Sequence, residues 1–272
     1  MSDVAERASE APNSPVRILA ISDEVDDRLY SPGVAGRFGP VDLVLSCGDL
    51  PQYYLDYVAT MLSAPLYAVH GNHDASLARG ETVEGRAWGV GELHAQVMKE
   101  QGLLIGGFDG SLRYNHGPYQ YTEAGMRQQV ARMLPQLLVN RLRYGRYLDI
   151  LVTHAPPRHI HDLPDRCHQG FTVFRWFLRT FRPQYHLHGH VHVYDNRTVT
   201  RTRLYDTEVL NAYRFRQLTV AAPRGRSASF PLAAAGAAGP NSPAWPRTDP
   251  APQPSRGAGQ RPPRPASYPG GR

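Results

Sequence analysis

The stretch His70-Gly71-Asn72-His73-Asp74 follows directly on the apolar run 65–69. Such a run predicts a short buried strand, and Gly71 ends it. The three residues after Gly71 should therefore lie on a turn at the carboxyl edge of a sheet, where open α/β folds place their chemistry. An amide oxygen, an imidazole and a carboxylate on one turn can bind a metal ion and transfer a proton. A polar turn that caps a helix has the same composition, so the rest of the chain must decide between the two.

Similar apolar runs precede and follow this stretch. The runs 16–21, 41–46 and 65–69 are separated by segments that leave room for short helices. Strands that alternate with helices predict a parallel βαβαβ unit. Pro135 is expected to split the helix predicted at 122–144 into two pieces. The other predicted elements are helices at 55–62 and 170–181, strands at 147–152 and 185–188, and hairpins at 93–107 and 198–219.

Charge and composition limit the possible partners. The chain has 272 residues, of which 41% are hydrophobic, enough for one large domain or two small ones. Its formal net charge of +6 is matched by seven arginines and one aspartate within residues 222–272, so the remainder is close to neutral. A near-neutral globular part argues against a nucleic-acid partner.

The composition changes sharply at both ends of the chain. Residues 1–15 are polar, and residues 222–272 hold 12 of the 24 prolines, so both segments are predicted to be disordered. One folded domain is predicted over residues 16–221. The two cysteines lack paired spacing, and no run has the length of a membrane span or the character of a signal peptide. These features predict a cytoplasmic protein without a membrane partner.

Potential metal ligands follow most of the predicted strands. Because the carboxyl ends of parallel strands meet at one edge, these side chains are expected to converge. They are carboxylates, an amide and imidazoles without a thiolate, a set that suits Mn, Fe or Zn. A central aspartate can bridge two cations ~3.5–4 Å apart, the arrangement of two-metal phosphoryl chemistry. In chain order the candidates are Asp23, Asp49, Asn72, His73, His154, His190 and His192.

Five short motifs carry these residues, and in content and order they resemble those of the calcineurin-like metallophosphoesterase family. The resemblance covers roughly residues 16–215 and implies a four-layer α-β-β-α sandwich, in which helices flank two β-sheets. It also implies hydrolysis of small phosphomonoesters or phosphodiesters by a metal-bound hydroxide at a dinuclear site. The motifs are Asp23, Gly48-Asp49, Gly71-Asn72-His73-Asp74, His154 and Gly189-His190-Val191-His192.

The same resemblance implies a role for each residue. Asp49 would bridge two divalent ions of Mn, Fe or Zn, and Asp23 and His192 would complete the first ion site. His73 would protonate the leaving oxygen and stabilise the transition state, with Asp74 orienting its ring. The second ion site would be completed by three further residues, Asn72, His154 and His190.

One position departs from the family pattern. The first family motif is Asp-x-His, and this chain has Val25 at the histidine position. Valine cannot bind a metal, so the first ion loses a ligand unless Glu24, Asp26, Asp27 or water replaces it. Each acid taken singly is more often part of a solvated turn or a helix cap. The second hypothesis is therefore a catalytically impaired member that binds a protein partner as a scaffold, against which the retained His73 argues.

Other residues have two possible interpretations. Arg113, in the polar loop 109–121, either clamps a substrate phosphate or lies on the surface. The polar residues of loop 155–170 either contact the substrate or fold back on one another. Cys47 is predicted to be a small buried residue rather than a nucleophile. Three histidines within predicted strands are expected to be interior residues with satisfied hydrogen bonds: His70, His186 and His188.

Overall fold

A computed structural model describes residues 14–74 and 90–221 of the chain. The disorder predicted for residues 1–13 and 222–272 lies outside the described residues. Within the described ranges, no helix is long and apolar enough to cross a membrane. In chain order the elements are β1 (Val16–Ser22), α1 (Val34–Phe38), β2 (Leu43–Ser46), α2 (Gln52–Leu62), β3 (Leu66–Ala68), β4 (Val90–Glu92), β5 (Val97–Glu100), β6 (Leu103–Phe108), β7 (Ser111–Leu112), β8 (Gln120–Tyr121), α3 (Glu123–Tyr144), β9 (Ile150–Thr153), α4 (Thr172–Phe181), β10 (Tyr185–His188), β11 (Arg201–Leu204), β12 (Thr207–Asn211) and β13 (Arg214–Val220).

Two mixed sheets form the centre of the fold. The first has the strand order β13-β1-β2-β3-β4, with β1 to β4 parallel and β13 antiparallel beside β1. The second has the order β11-β12-β10-β9-β6-β5, with a parallel centre and an antiparallel strand at each edge. The central strands of both sheets are thus parallel, as the βαβαβ pattern predicts for the first.

Alternation along the strands divides the apolar side chains between layers. In β1, Ile18 and Ala20 belong to the cluster between the two sheets, whereas Leu19 and Ile21 belong to the cluster under α1 and α2. The other face of the second sheet packs against α3 and α4. The order of layers is helix, sheet, sheet, helix, which confirms the predicted four-layer sandwich.

The long helix α3 is continuous and contains Pro135, so the predicted split is wrong. Proline removes one backbone donor from a helix. Here the buried side chains on either side of it, Met133 and Leu137, belong to the same apolar cluster, and that packing holds both halves in line. Val139 and Leu142 also fit the helical spacing, but they are exposed, so the buried stripe ends at Leu137.

The strands differ from those predicted from the sequence at three places, two in their pairing and one in where a strand ends. The predicted hairpin at 93–107 is present as β5 and β6, but the preceding β4 joins the first sheet and was missed. Of the closing segment, only β11 and β12 form a hairpin, and β13 crosses to pair with β1. His70 lies beyond the end of β3 and is half-exposed, so its predicted place inside a strand is wrong. Alternation reveals a strand, whereas its partner depends on the assembled sandwich.

Candidate metal centre

The carboxyl ends of five strands, taken from both sheets, meet at one edge of the sandwich. Each strand ends in a turn that carries one or two of the candidate ligands. The sandwich therefore brings Asp23 and His190, which are 167 positions apart in the chain, within hydrogen-bond distance. The placements are Asp23 after β1, Asp49 after β2, Asn72 after β3, His154 after β9, and His190 and His192 after β10.

Three of these residues have left-handed backbone conformations. The φ angles are 68° at Asp23, 57° at Asp49 and 68° at His190. Side chains other than glycine adopt this region at a cost, and such residues cluster at functional sites. Hydrogen bonds between the turns stabilise it, because His190 N–H donates to both carboxylate oxygens of Asp23 at 2.9 and 3.1 Å, and His73 N–H donates to Asp49 Oδ1 at 2.7 Å.

Two motif glycines allow the turns to approach each other. A Cβ atom on Gly71 would lie 2.1 Å from Asp49 Oδ1, and one on Gly189 would lie 1.9 Å from Ser22 Oγ. Both distances are far shorter than any non-bonded contact. Glycine at these positions is therefore a steric requirement for packing the strand-end turns against each other.

His154 lies at the centre of the second candidate ion site. Its Nε2 atom is 3.2 Å from Asp49 Oδ2, 3.1 Å from Asn72 Oδ1 and 3.1 Å from His190 Nδ1. Ligand atoms of Asp23, Asp49 and His154 also lie within 4.8 Å of one another. Four potential ligand atoms thus converge on one small volume, as the coordination of a single ion requires.

Neighbouring groups orient two of these ligands. His154 Nδ1 lies 2.8 Å from the carbonyl oxygen of the buried Cys47, and a proton on Nδ1 donated to that oxygen directs Nε2 toward the other ligands. Asn72 Nδ2 lies 3.2 Å from the Tyr114 hydroxyl, which leaves Oδ1 directed at His154. Cys47 is buried, as predicted, and it acts through its backbone.

The electrostatics of this cluster favour a positive charge at its centre. Burial opposes a charge on His154, but Asp49 and Asp23 outweigh that effect and raise the pKa of His154 to about 10. Burial likewise opposes a charge on Asp49, but His154 and the His73 N–H lower the pKa of Asp49 to about 2. A protonated His154 thus supplies, in the metal-free protein, the positive charge that a metal ion would bring.

We expect the metal-free protein to lose thermal stability as the pH rises from 6.5 through about 10, because His154 then loses the proton that Asp49 stabilises in the folded state. A folded pKa raised above the unfolded value contributes stability below that window, and the contribution disappears across it. Thermal denaturation in chelator at several pH values measures this loss. The metal-loaded protein is the control and should show a shallower fall, whereas parallel curves would contradict the assignment.

A cavity of about 410 Å³ opens above these ligands. It is lined by His73 and by five of the candidate ligands, Asp23, Asp49, Asn72, His190 and the exposed His192. Three further residues line the cavity: Tyr114 and Cys167, which were missed in the sequence, and His168, one of the polar residues of loop 155–170 for which substrate contact was one of two interpretations. They lie on the loops 109–121 and 155–170, which were singled out for their polarity, but no pattern in those loops marks which side chains face inward.

The first candidate ion site has fewer ligands. Its His192 is exposed, stacks on Tyr213 at a centroid distance of 4.9 Å and holds Nδ1 2.7 Å from the Tyr194 hydroxyl. Val25, at the position where the family has histidine, is partly buried and packs against the cluster under α1 and α2. It is therefore an apolar contact of the core.

Two of the acids suggested as substitutes for the missing histidine have other partners. Asp26 is buried, and its two carboxylate oxygens accept from the Arg28 guanidinium at 2.8 and 2.6 Å. Glu24 accepts from the Tyr213 hydroxyl and, at 2.6 Å, from Arg214. Both acids are thus paired with arginines, and neither lines the cavity, so the structure gives no support to Asp26 or Glu24 as a replacement ligand. The third acid, Asp27, is exposed.

Two further expectations are corrected by hydrogen bonding. Asp74 Oδ2 accepts from Gly71 N–H at 2.8 Å and lies 3.4 Å from His70 Nδ1, so Asp74 orients His70 rather than His73. Asp74 also raises the pKa of His70. Arg113 donates to the Gln120 carbonyl at 3.2 Å and does not line the cavity, so its predicted contact with a substrate phosphate is not supported.

The interior histidines of β10 match their predicted burial. His188 is buried between Gly189 O and His161 Nδ1, at 3.0 and 2.9 Å. His186 is also buried and contacts Thr153 Oγ1 at 2.8 Å, but its Nδ1 has no hydrogen-bond partner among the described residues. The prediction that both are satisfied therefore holds for His188 and fails at one atom of His186.

The sequence model of the calcineurin-like phosphoesterases matches residues 17–194, which is more than half of the chain. The protein therefore belongs to the calcineurin-like phosphoesterase family. Members of this family typically bind divalent metal ions, and the chain carries candidate ligand groups for them. Among curated protein sequences, none matches this chain significantly.

Solved structures share the fold. One superposes with a TM-score of 0.55 at 17% identity, covering 75% of this chain and 95% of its own. TT1561 from Thermus thermophilus has a TM-score of 0.48 at 15% identity, covering 77% and 100%. Wild-type Vps29 complexed with zinc, from Entamoeba histolytica, has a TM-score of 0.34 at 15% identity, covering 73% and 74%. The first of these similarities, at 17% identity, supports the fold and nothing beyond it.

Proposed function

We propose that this protein is a metal-dependent phosphoesterase that hydrolyses phosphomonoesters or phosphodiesters at a dinuclear site. The observation that carries the proposal is the convergence of Asp49, Asn72 and His190 on His154 Nε2, at 3.1 to 3.2 Å. Each of these three atoms lies about as far from His154 Nε2 as the ligands of one ion lie from each other, so the four atoms together could bind a single ion.

The donor set fits two divalent cations of the Mn, Fe or Zn class. Its members offer carboxylate, amide and imidazole atoms, and the His154 ring already has the second partner that metal-bound histidines usually have. Asp49 would be shared, with Asp23 and His192 on one ion. The other ion would be held by Asn72, His154 and His190. Two such ions would act as Lewis acids and lower the pKa of a water molecule.

His73 is proposed as the proton donor to the leaving oxygen. It lines the cavity, and its N–H bond to Asp49 Oδ1 holds residue 73 beside the shared carboxylate. The imidazole is therefore within the cavity without belonging to the converging ligand set. Tyr114 supports the same side of the site through its hydrogen bond to Asn72. In this proposal His73 protonates the leaving oxygen and Tyr114 positions Asn72, whereas the ligand residues bind the ions.

The substrate is proposed to be a small phosphoester. The cavity of about 410 Å³ lies within the ~300–1,000 Å³ typical of small-molecule sites. Hydrolysis of chromogenic phosphomonoesters and phosphodiesters with added Mn²⁺, and its loss in chelator, is the direct test. A variant that should keep wild-type hydrolysis in this assay is His116→Ala, because His116 is exposed on the same loop as Tyr114 and does not line the cavity.

A scaffold role remains the second candidate because of the first ion site. Val25 packs into the core, and the neighbouring Glu24 and Asp26 are engaged by other residues. Those contacts weaken one ion site without affecting the second. Metal-loaded protein that hydrolyses no ester in a broad panel would favour the scaffold, whereas turnover of any of them would exclude a purely structural role.

We expect the two ion sites to differ in affinity. In our assignment the first ion has three protein ligands, Asp23, Asp49 and His192, and the second has four. Calorimetric titration of metal-free protein should therefore resolve a tight and a weak site, and activity should rise steeply as the weak site fills. His192→Ala should remove only the weak site. Two equal tight sites in the wild type would contradict this expectation.

A further inference from the structure

A second group of potential metal ligands lies on the loop between β9 and α4. Its members are Asp165, Cys167 and His168, and none of them belongs to the converging cluster around His154. Cys167 Sγ lies 2.7 Å from Asp165 Oδ2 and 3.2 Å from His168 Nδ1, and His168 Nδ1 lies 2.7 Å from the same Asp165 oxygen. Three ligand atoms of different chemistry thus meet within hydrogen-bond distance.

The loop that carries this group is held in shape by its own hydrogen bonds. Leu163 N–H donates to the His168 carbonyl at 3.2 Å, and His168 N–H returns to the Asp165 carbonyl at 3.2 Å. Gln169 Nε2 donates to the Pro164 carbonyl at 2.9 Å. The loop therefore folds back on itself and presents the three side chains on one turn, so little ordering is required when an ion binds.

Hydrogen bonds from Cys167 and His168 to Asp165 link the three side chains in the way that a bound cation could. Asp165 Oδ2 accepts from the thiol of Cys167, from the His168 ring and, at 3.3 Å, from the His168 backbone N–H. The first two of these donors are side chains that could bind a metal ion. A divalent ion can replace both contacts at once, because it binds the carboxylate, the thiolate and the imidazole directly. The charges also balance: one carboxylate and one thiolate neutralise a divalent ion beside a neutral imidazole.

We propose that Asp165, Cys167 and His168 form a separate zinc site at the mouth of the catalytic cavity. Zinc is the ion that combines thiolate, imidazole and carboxylate ligands. On binding, the Cys167 thiol releases one proton to solvent and its sulfur bonds to zinc. The neutral His168 ring moves its proton from Nδ1 to Nε2, so one proton leaves for each ion bound. Three protein ligands leave one position of a tetrahedral ion open.

The site would act directly on the catalytic cavity. Cys167 and His168 both line that cavity, and the Cys167 carbonyl lies 2.6 Å from His190 Nε2. The rings of His168 and His190 have their centroids 5.3 Å apart. Zinc held by this turn would keep the Cys167 carbonyl in contact with His190. The open coordination position of the zinc could then bind an anionic oxygen of a ligand in the cavity.

Cobalt substitution tests the proposal, because a thiolate bound to Co²⁺ gives an intense charge-transfer band in the near ultraviolet. Co²⁺ added to metal-free protein should produce this band, and Cys167→Ser should abolish it and bind one ion fewer. Asp165→Ala and His168→Ala should weaken binding by roughly 10- to 100-fold or more. Arg166→Ala, on the same turn but outside the ligand set, should leave the band unchanged.

Alkylation provides a second measurement that does not depend on hydrolysis. The chain has two cysteines, and Cys47 is fully buried while Cys167 is half-buried. Zinc should therefore protect Cys167 of the native protein from iodoacetamide. A cobalt band that persists in Cys167→Ser, or an equal rate of Cys167 alkylation with and without zinc, would overturn the proposal. Neither result bears on the dinuclear site, whose proposed ligands include no thiolate.

Discussion

Replacement of His73 by alanine is expected to lower kcat by roughly 10²–10⁴-fold, the usual contribution of a general acid, while the metal content stays as in the wild type. The reason is geometric. His73 lines the cavity, but the atoms that converge on the second ion site belong to other residues, Asp49, Asn72, His154 and His190. The measurement is kcat on a chromogenic ester together with elemental analysis of the purified variant.

His116→Ala serves as the control for this variant, since it removes a histidine that is exposed and outside the cavity. It should retain both turnover and metal. The backbone N–H of His73 that donates to Asp49 is preserved in His73→Ala, so the position of the shared carboxylate should not change. If His73→Ala lost its metals as completely as a ligand variant, His73 would have to be reassigned as a ligand.

Replacement of His154 by alanine is expected to lower the metal content, and activity should fall because metal is lost, in contrast to His73→Ala. His154 Nε2 is within 3.2 Å of Asp49, Asn72 and His190, so its removal takes the central ligand from the second ion site. Changes around metal sites that spare the ligands already cost roughly 10- to 100-fold in affinity, so loss of a ligand should exceed that. Calorimetry of the variant should retain only the weaker binding step.

His154 is fully buried, and alanine would leave both a void and an unpaired Cys47 carbonyl. His154→Gln is therefore the second variant, because it keeps most of the volume and an amide that can donate to that carbonyl. Thermal denaturation separates misfolding from loss of metal. A folded His154→Gln protein that binds two ions as tightly as the wild type would contradict the assignment of His154 as a ligand.

Substrate choice is expected to depend on the two loops that close the cavity. Tyr114 comes from the loop after β7, and Cys167 and His168 come from the loop after β9. These three side chains line the cavity from loops rather than from strand ends. Variants of Tyr114 should change the preference between ester substrates, and those that lose its hydroxyl should also weaken metal binding, because that hydroxyl accepts from Asn72 Nδ2 at 3.2 Å.

Local patterns in the sequence located the strand ends and the residues on them. Apolar runs followed by glycine and polar residues located β1, β2, β3 and β10 to within a few positions, because buried strands and their turns have strong local signals. The order of the five motifs was enough to predict the four-layer sandwich. The missing ligand at Val25 was also readable, since valine has no atom that binds a metal.

The hydrogen-bond partners of those residues, in contrast, depend on the assembled fold. Asp74 orients His70 instead of His73, and Arg113 donates to its own loop instead of reaching the cavity. The turn with Cys167 approaches His190 across 23 positions of chain, and Asp23 meets His190 across 167. A hydrogen-bond partner is set by distance and direction within the assembled fold. Residue type limits which bonds are possible, and the packing of two sheets selects among them.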